Sequence, residues 1–190
     1  MKKAFLLAGI LFISVISTAC INNFAVQELN NKAKDFMDKG DYVSAIERLK
    51  SSVDLDGSVF ETRYNLAVAY TKAEDYANAV NAYNDAAQLN PDFADIYYSR
   101  AVCEENLAKD IISGNVKINE DGTYEKVESE DDDSENKSKL TENAKNTIET
   151  LLNNSIADYK LYIEKSSSAD DEIEEHIKEL EELIKANAEK

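Results

Sequence analysis

The feature that most constrains this chain is a self-match at an offset of 34 residues. Phe60–Phe93 reads as two short helices joined by a tight turn. Leu66, Ala67 and Tyr70 fall on one face of the first, and Ala79, Tyr83 and Ala86 on one face of the second. Spacings of three and four are the helical period. Pro91 follows the second apolar run, where a helix must stop. Shifted back by 34 residues, Val26–Val59 aligns without a gap: Ala33 on Ala67, Phe36 on Tyr70, Asp41-Tyr42 on Asp75-Tyr76, Ala45 on Ala79, Leu55 on Leu89. Shifted forward, Tyr98, Ala101 and Val102 meet Tyr64, Ala67 and Val68. A helical hairpin cannot bury its own apolar face, so a repeated hairpin implies stacked neighbours. A single Pro and five Gly leave few helix breakers.

The pattern carried by Leu66, Ala67, Tyr70, Ala79, Tyr83, Ala86 and Pro91 resembles the tetratricopeptide repeat (TPR) family. The resemblance implies an all-α fold, a TPR-type α-solenoid of helical hairpins, here with a long acidic insertion and a C-terminal capping helix. On this reading the first repeat spans 26–59, the second 60–93 and the third 94–165, interrupted by the insertion 113–139. The capping helix occupies 166–190. Gly40 suits a left-handed turn position, with Asp41 and Asp75 capping the helices that follow. Ser58-Val59-Phe60-Glu61 reads as a capping box, and Asp92 as the cap of the next helix. The helix from Ala94 is expected to reach Ile111-Ile112, with Cys103 as a small packing residue. Within the insertion, Asn115–Val127 alternates weakly around Asp121-Gly122, a small hairpin. Ser155–Tyr159 echoes Ala79–Tyr83, which makes Leu140–Lys165 the displaced second helix of the third repeat. Ser168 or Asp170 would cap the last helix, whose apolar stripe is Ile173, Ile177, Leu180 and Ile184. His176 sits at the edge of that stripe as a packing or surface residue.

Before the repeats, Met1–Cys20 reads MKKAFLLAGILFISVISTAC. Two lysines, a mostly apolar run from Ala4 to Ile16 and the small residues Ser17, Thr18 and Ala19 form a signal peptide over residues 1–19. The run is short of the ~20 residues a spanning helix needs. Cys20 directly after Ser-Thr-Ala resembles the lipobox of bacterial lipoproteins, although Ser17 stands where Leu is commonest. That resemblance implies cleavage before Cys20 and lipidation there, with residues 20–25 as a lipidated tether. Acyl chains hold a protein on a membrane at about 0.8 kcal/mol per buried methylene. The expected localisation is the bacterial cell envelope, on the outer or cytoplasmic membrane, facing the periplasm or the exterior.

The net charge is −17, although Lys2 and Lys3 are the only charges before residue 20. So acidic a body repels nucleic acid and anionic lipid. One histidine and two cysteines supply no triad, zinc-ligand spacing or disulfide framework, and no Gly-rich loop cradles a phosphate. The chain is expected to be no enzyme, with no catalytic residue, metal, cofactor or small-molecule substrate. Asp121, Glu128, Glu130, Asp131, Asp132 and Asp133 could meet a divalent cation, but without the spacing of a calcium loop; a solvated loop is the simpler reading.

In TPR proteins the first helix of each hairpin lines a groove that holds partner segments. Carried over by position, the groove residues are Asn30, Asn31 and Lys34, then Tyr64, Asn65 and Val68, then Tyr98, Ser99 and Val102. The resemblance implies a protein or peptide partner, bound by an envelope adaptor or scaffold. TPR domains that clamp chaperone C-terminal carboxylates use basic residues in the third repeat, where Asp95 and Ser99 stand here. That clamp is therefore not expected. Two other readings follow from the same residues: an outer-membrane assembly or secretin-pilot lipoprotein, and a cation-binding or regulatory acidic loop on a repeat scaffold.

Overall fold

The computed structural model describes residues 23–127, 140–166 and 171–188. Among these residues there are seven helices and one hairpin. They are α1 (residues 23–38), α2 (Tyr42–Leu55), α3 (Phe60–Lys72), α4 (Tyr76–Leu89), α5 (Asp95–Ser113), β1 (Val116–Ile118), β2 (Tyr124–Lys126), α6 (Glu142–Ser166) and α7 (Asp171–Ala188). The fold is all-α, with the hairpin and the acidic stretch inserted between α5 and α6 and α7 closing the order. The signal peptide, Cys20, the carboxylates from Glu128 to Asp133 and the caps Ser168 and Asp170 lie outside the described residues. Among the described residues no helix is long and apolar enough to cross a membrane. The chain forms two compact units, Met1–Ala73 and Glu74–Lys190.

The 34-residue period reappears in the helix bounds. α2 and α4 begin at Tyr42 and Tyr76 and end at Leu55 and Leu89. Each starts on the same device: Asp41 accepts from the backbone N–H of Ser44, and Asp75 from that of Asn78. A carboxylate at this position answers amides that the helix leaves without partners. Both helices follow a residue in the left-handed region, Gly40 at φ 75° and Glu74 at φ 56°. Glycine adopts that region freely, whereas a β-carbon makes it costly.

Two expected caps fail. Ser58 is engaged by Asp56, whose Oδ1 accepts from both its N–H and its hydroxyl. Val59 therefore occupies the cap position of α3, without a side-chain bond. α5 starts after Ala94, again without a side-chain cap. Asp92 instead accepts from Lys165 Nζ at 3.3 Å. Local pairing won in one case and a tertiary partner in the other. Thr141 caps α6 by accepting from the Ala144 N–H.

In the first unit Ala33, Ala45, Leu49 and Ala67 are at most 1% exposed. Ser52 Oγ donates to the Val26 carbonyl, and Asn30 Nδ2 donates to Thr62 Oγ1 at 2.8 Å. These bonds tie α1 to α2 and α3. In the second unit Ala79, Tyr83, Ile96, Ala101, Cys103, Ile148, Leu152 and Ser155 are buried. α6 packs along α5, and Ser155 Oγ donates to the Ala101 carbonyl at 3.0 Å. α7 covers α6 with Ile173, Ile177 and Leu180. The hairpin is antiparallel, pairing Val116 with Lys126 and Ile118 with Tyr124. Gly122 at φ 82° makes its turn, and Val116 enters the core beside α5.

The two left-handed turn residues predict opposite responses. Gly40→Ala should lower stability by about 1 kcal/mol, whereas Glu74→Gly should raise it by a few tenths to about 1 kcal/mol. Urea midpoints at constant m-value would measure both; equal signs would contradict the assignment.

Candidate functional site

The faces singled out by the repeat phase are those that the core leaves over. On α3, Thr62, Leu66, Ala67 and Ala69 point inward. Asn65 is consequently exposed, while Tyr64 and Val68, one turn apart, are half-buried on the remaining flank. Tyr64 stacks on Phe60 with ring centroids 5.9 Å apart, which fixes its plane. On α1, Asn31 and Lys34 are exposed. Their neighbour Asn30 faces inward to Thr62 and leaves its Oδ1 buried without a partner among the described residues. Asn30, Asn31, Lys34, Tyr64, Asn65 and Val68 all belong to the first unit.

Tyr98, Ser99 and Val102 belong to the second. Val102 is half-buried against the core and Ser99 half-buried beside it. Tyr98 is 42% exposed, the most open tyrosine among the large exposed side chains. One side of its ring rests on α6, 5.7 Å from Tyr159 and 5.2 Å from Tyr162 between centroids. Three tyrosines therefore meet at this surface. Sequence reasoning missed Tyr162; its spacing of three from Tyr159 was the available signal.

Beneath Tyr98 lies a polar interior that the sequence reading also missed. Arg100 Nε and Nη2 donate to the two carboxylate oxygens of Asp158 at 2.5 and 2.6 Å, and Nη1 donates to Asn84. This bidentate pair ties α5 to α6, with α4 as a third partner. The guanidinium also lies over the Tyr97 ring, whose hydroxyl donates to the Pro91 carbonyl. Glu104, next on this face, is 4% exposed and its Oε2 is unpartnered among the described residues. Burial, reinforced by the Asp158 carboxylate and opposed by Arg100, pushes its carboxyl up to about 8. It is a protonated acid at neutral pH. The signal for it was present: Glu104 stands where Phe36 and Tyr70 stand in the other repeats.

Glu105 is buried as well, but paired. It receives Lys109 Nζ on one oxygen, and on the other the Tyr159 hydroxyl at 3.3 Å and His176 Nε2 at 2.7 Å. Burial raises its carboxyl, yet Lys109 and His176 outweigh burial and hold it below the usual range. His176 Nδ1 meets Glu179 at 3.2 Å, and the ring packs edge-on against Tyr159. Desolvation lowers the imidazole pKa, but Glu105 and Glu179 together raise it above 6.5. The histidine read as a surface or packing residue thus carries a charge-assisted link from α7 to α5. Cys103 is fully buried.

No group of three or more potential metal ligands occurs among the described residues. Asp121 is engaged at the hairpin turn, accepting from the N–H and hydroxyl of Thr123.

Residues 60–93 match the tetratricopeptide repeat family. The fold is of the tetratricopeptide-repeat type. The first TPR of Spaghetti (RPAP3), bound to the HSP90 peptide SRMEEVD, superposes with a TM-score of 0.55 at 17% identity, over 84% of this chain and 92% of that one. The second TPR domain of human RPAP3, in complex with the HSP70 peptide SGPTIEEVD, gives 0.56 at 14% identity, over 84% and 98%. The Arabidopsis OM64 TPR domain gives 0.56 at 12%, over 84% and 96%. At such identities the likeness is one of fold. No curated protein matches the sequence.

The buried acid predicts a pH dependence. A folded pKa of about 8 lies above the ordinary 4.5, so the contribution of Glu104 to stability is whole below about pH 4.5 and is lost as the pH rises to about 8. Loss of charge on His176 acts in the same direction above about pH 6.5. Glu104→Gln should flatten the decline between pH 5 and 8, leaving the smaller His176 component. A variant whose urea midpoint falls with pH as steeply as the parent would contradict the protonated state.

Proposed function

We propose that this TPR-type chain is a protein–protein interaction adaptor that binds partner segments through exposed faces of the first helices of its hairpins. The observation that carries the reading is Tyr98, an exposed aromatic ring held by Tyr159 and Tyr162 on a rigid helix pair. Such a ring offers large contact area with little entropy left to lose. Tyr64, stacked on Phe60, has the same character on α3. Asn31, Asn65 and Ser99 add side chains able both to donate and to accept hydrogen bonds, while Lys34 is the single cation among the proposed groove residues.

The peptides in the two RPAP3 structures are acidic. For this chain an acidic tail is the less suitable partner. Asp95 and Ser99 replace the basic pair of a carboxylate clamp, and the adjacent Arg100 is already held by Asp158. A neutral or basic segment suits a body of net charge −17 better.

The proposal includes an anchor: cleavage before Cys20, lipidation of its thiol and new amino group, and display of the repeats in the bacterial cell envelope. Support comes from the order of basic, apolar and small residues before that cysteine. Cys20→Ser should move the protein from the detergent to the aqueous phase in a cloud-point partition, and the intact mass of the parent should exceed that of residues 20–190 by its acyl groups. An unmodified mass would remove the anchor and leave the adaptor reading standing.

Binding itself is tested with photo-crosslinkable residues at Asn65 and Ser99 in the native cell, followed by mass spectrometry and measurement with the purified partner. Tyr64→Ala combined with Tyr98→Ala should weaken that affinity at least about tenfold while far-UV circular dichroism stays unchanged. Unaltered affinity would reject these helix faces as the binding surface.

A further inference from the structure

The inserted hairpin does more than connect α5 to α6. Together with the start of α4 and the end of α5 it walls a recess of about 390 Å³. That is the size range of small-ligand sites. The recess lies wholly within the second unit, and none of its walls belongs to the proposed groove faces on α1, α3 and α5.

Its chemistry is asymmetric. The apolar floor is Leu107 and Val116, with the rings of Tyr76 and Tyr124 beside them. Glu74, Asp75 and Asp110 bring three carboxylates to the wall against one ammonium, Lys126. The two helix ends that meet here are not equivalent. The N-terminus of α4, ordinarily a place for an anion, already has one: Asp75 accepts from the Asn78 backbone and side chain. The C-terminal end of α5, ordinarily complemented by a cation, has no basic residue in its last turn and carries Asp110 there instead. The Asp110 carboxylate receives, among the described residues, only a long bond from Asn115 Nδ2, at 3.4 Å. The Tyr76 hydroxyl has its pKa raised by burial first and then by Glu74 and Asp110, which line the same recess.

We infer that the recess between α4, α5 and the inserted hairpin is a binding site for an organic cation with an apolar stem, an alkylammonium or guanidinium group. The stem would lie on Leu107 and Val116. The cation would face Asp110, the end of α5 and the rings of Tyr76 and Tyr124, which attract positive charge through their faces. A free diamine and the lysine side chain of a partner protein share this chemistry. The inference does not rest on the adaptor reading, since the groove variants Tyr64→Ala and Tyr98→Ala leave this recess untouched.

The test is an amide-resolved NMR titration of the isotope-labelled full chain with two probes, cadaverine for the free diamine and N-acetyl-lysinamide for the side chain. Hexanoate serves as an anion of similar length. Either amine should shift the amides of Tyr76, Gly122 and Tyr124 saturably; which one binds more tightly identifies the source. Asp110→Asn should weaken binding about tenfold, a loss of 1.4 kcal/mol. Lys126→Ala removes the competing ammonium from an exposed strand position and should tighten binding; it carries the test if Asp110→Asn disturbs the fold. The inference is overturned if neither amine gives saturable shifts or if hexanoate shifts the same amides equally. Shifts scattered over all surface carboxylates, or an affinity indifferent to Lys126→Ala, would overturn it too.

Discussion

Helix packing in both units depends on buried residues as small as alanine or serine. Ala33, Ala45 and Ala67 in the first unit, and Ala79, Ala101 and Ser155 in the second, are essentially without exposure. Their small volume lets helices approach until larger neighbours such as Leu49, Tyr83 and Tyr159 interlock, and density of that kind leaves little room for a different register. The 3.0 Å bond from Ser155 Oγ to the Ala101 carbonyl shows how closely α6 approaches the α5 backbone. Once the small positions are set, the remaining faces are determined as well. Tyr98 stands at the surface because Tyr97 and Ala101, on either side of it along α5, are turned inward.

The second unit adds a different constraint to this packing. α5 carries Arg100, Glu104 and Glu105 on faces that it must bury against α4, α6 and α7. Apolar residues at these places would pack without directional demands. The charged ones accept few arrangements, since Arg100 needs both oxygens of Asp158, and Glu105 needs Lys109 and His176. Buried ion pairs add little net stability over apolar residues but are costly to mismatch. Such pairs suit two helices that an insertion separates along the chain. The Arg100–Asp158 and Ser155–Ala101 bonds fix how α5 and α6 align. Glu104 is the residual cost of the arrangement, an acid kept neutral chiefly by burial, with its Oε2 unpartnered among the described residues.

The same insertion gives the second unit its recess. A direct turn between α5 and α6 would leave the start of α4 and the end of α5 open to water. The hairpin instead brings Val116 into the core and Tyr124 beside Tyr76. Two helix termini with opposite dipole ends thereby share one small space, one of them answered within the chain and the other not.

Helix content, the 34-residue phase, the aspartate caps of α2 and α4 and the hairpin at Gly122 were legible in the amino-acid order, because each rests on contacts within a few residues or on strict repetition. The partners of polar side chains were not legible. Ser58 turned to Asp56, Asp92 to Lys165, and His176 to Glu105 across 71 residues. Nothing in local sequence ranks such partners, since an acid on an amphipathic helix reads as solvated until a neighbouring helix covers it. Periodicity alone determined where the helices lie and which stripe of each is apolar. Tertiary packing alone decided that Glu104 is neutral, that Tyr98 is braced by two further tyrosines, and that a recess lies beside the hairpin. Burial and charge proximity are properties of assembled surfaces, not of any one segment.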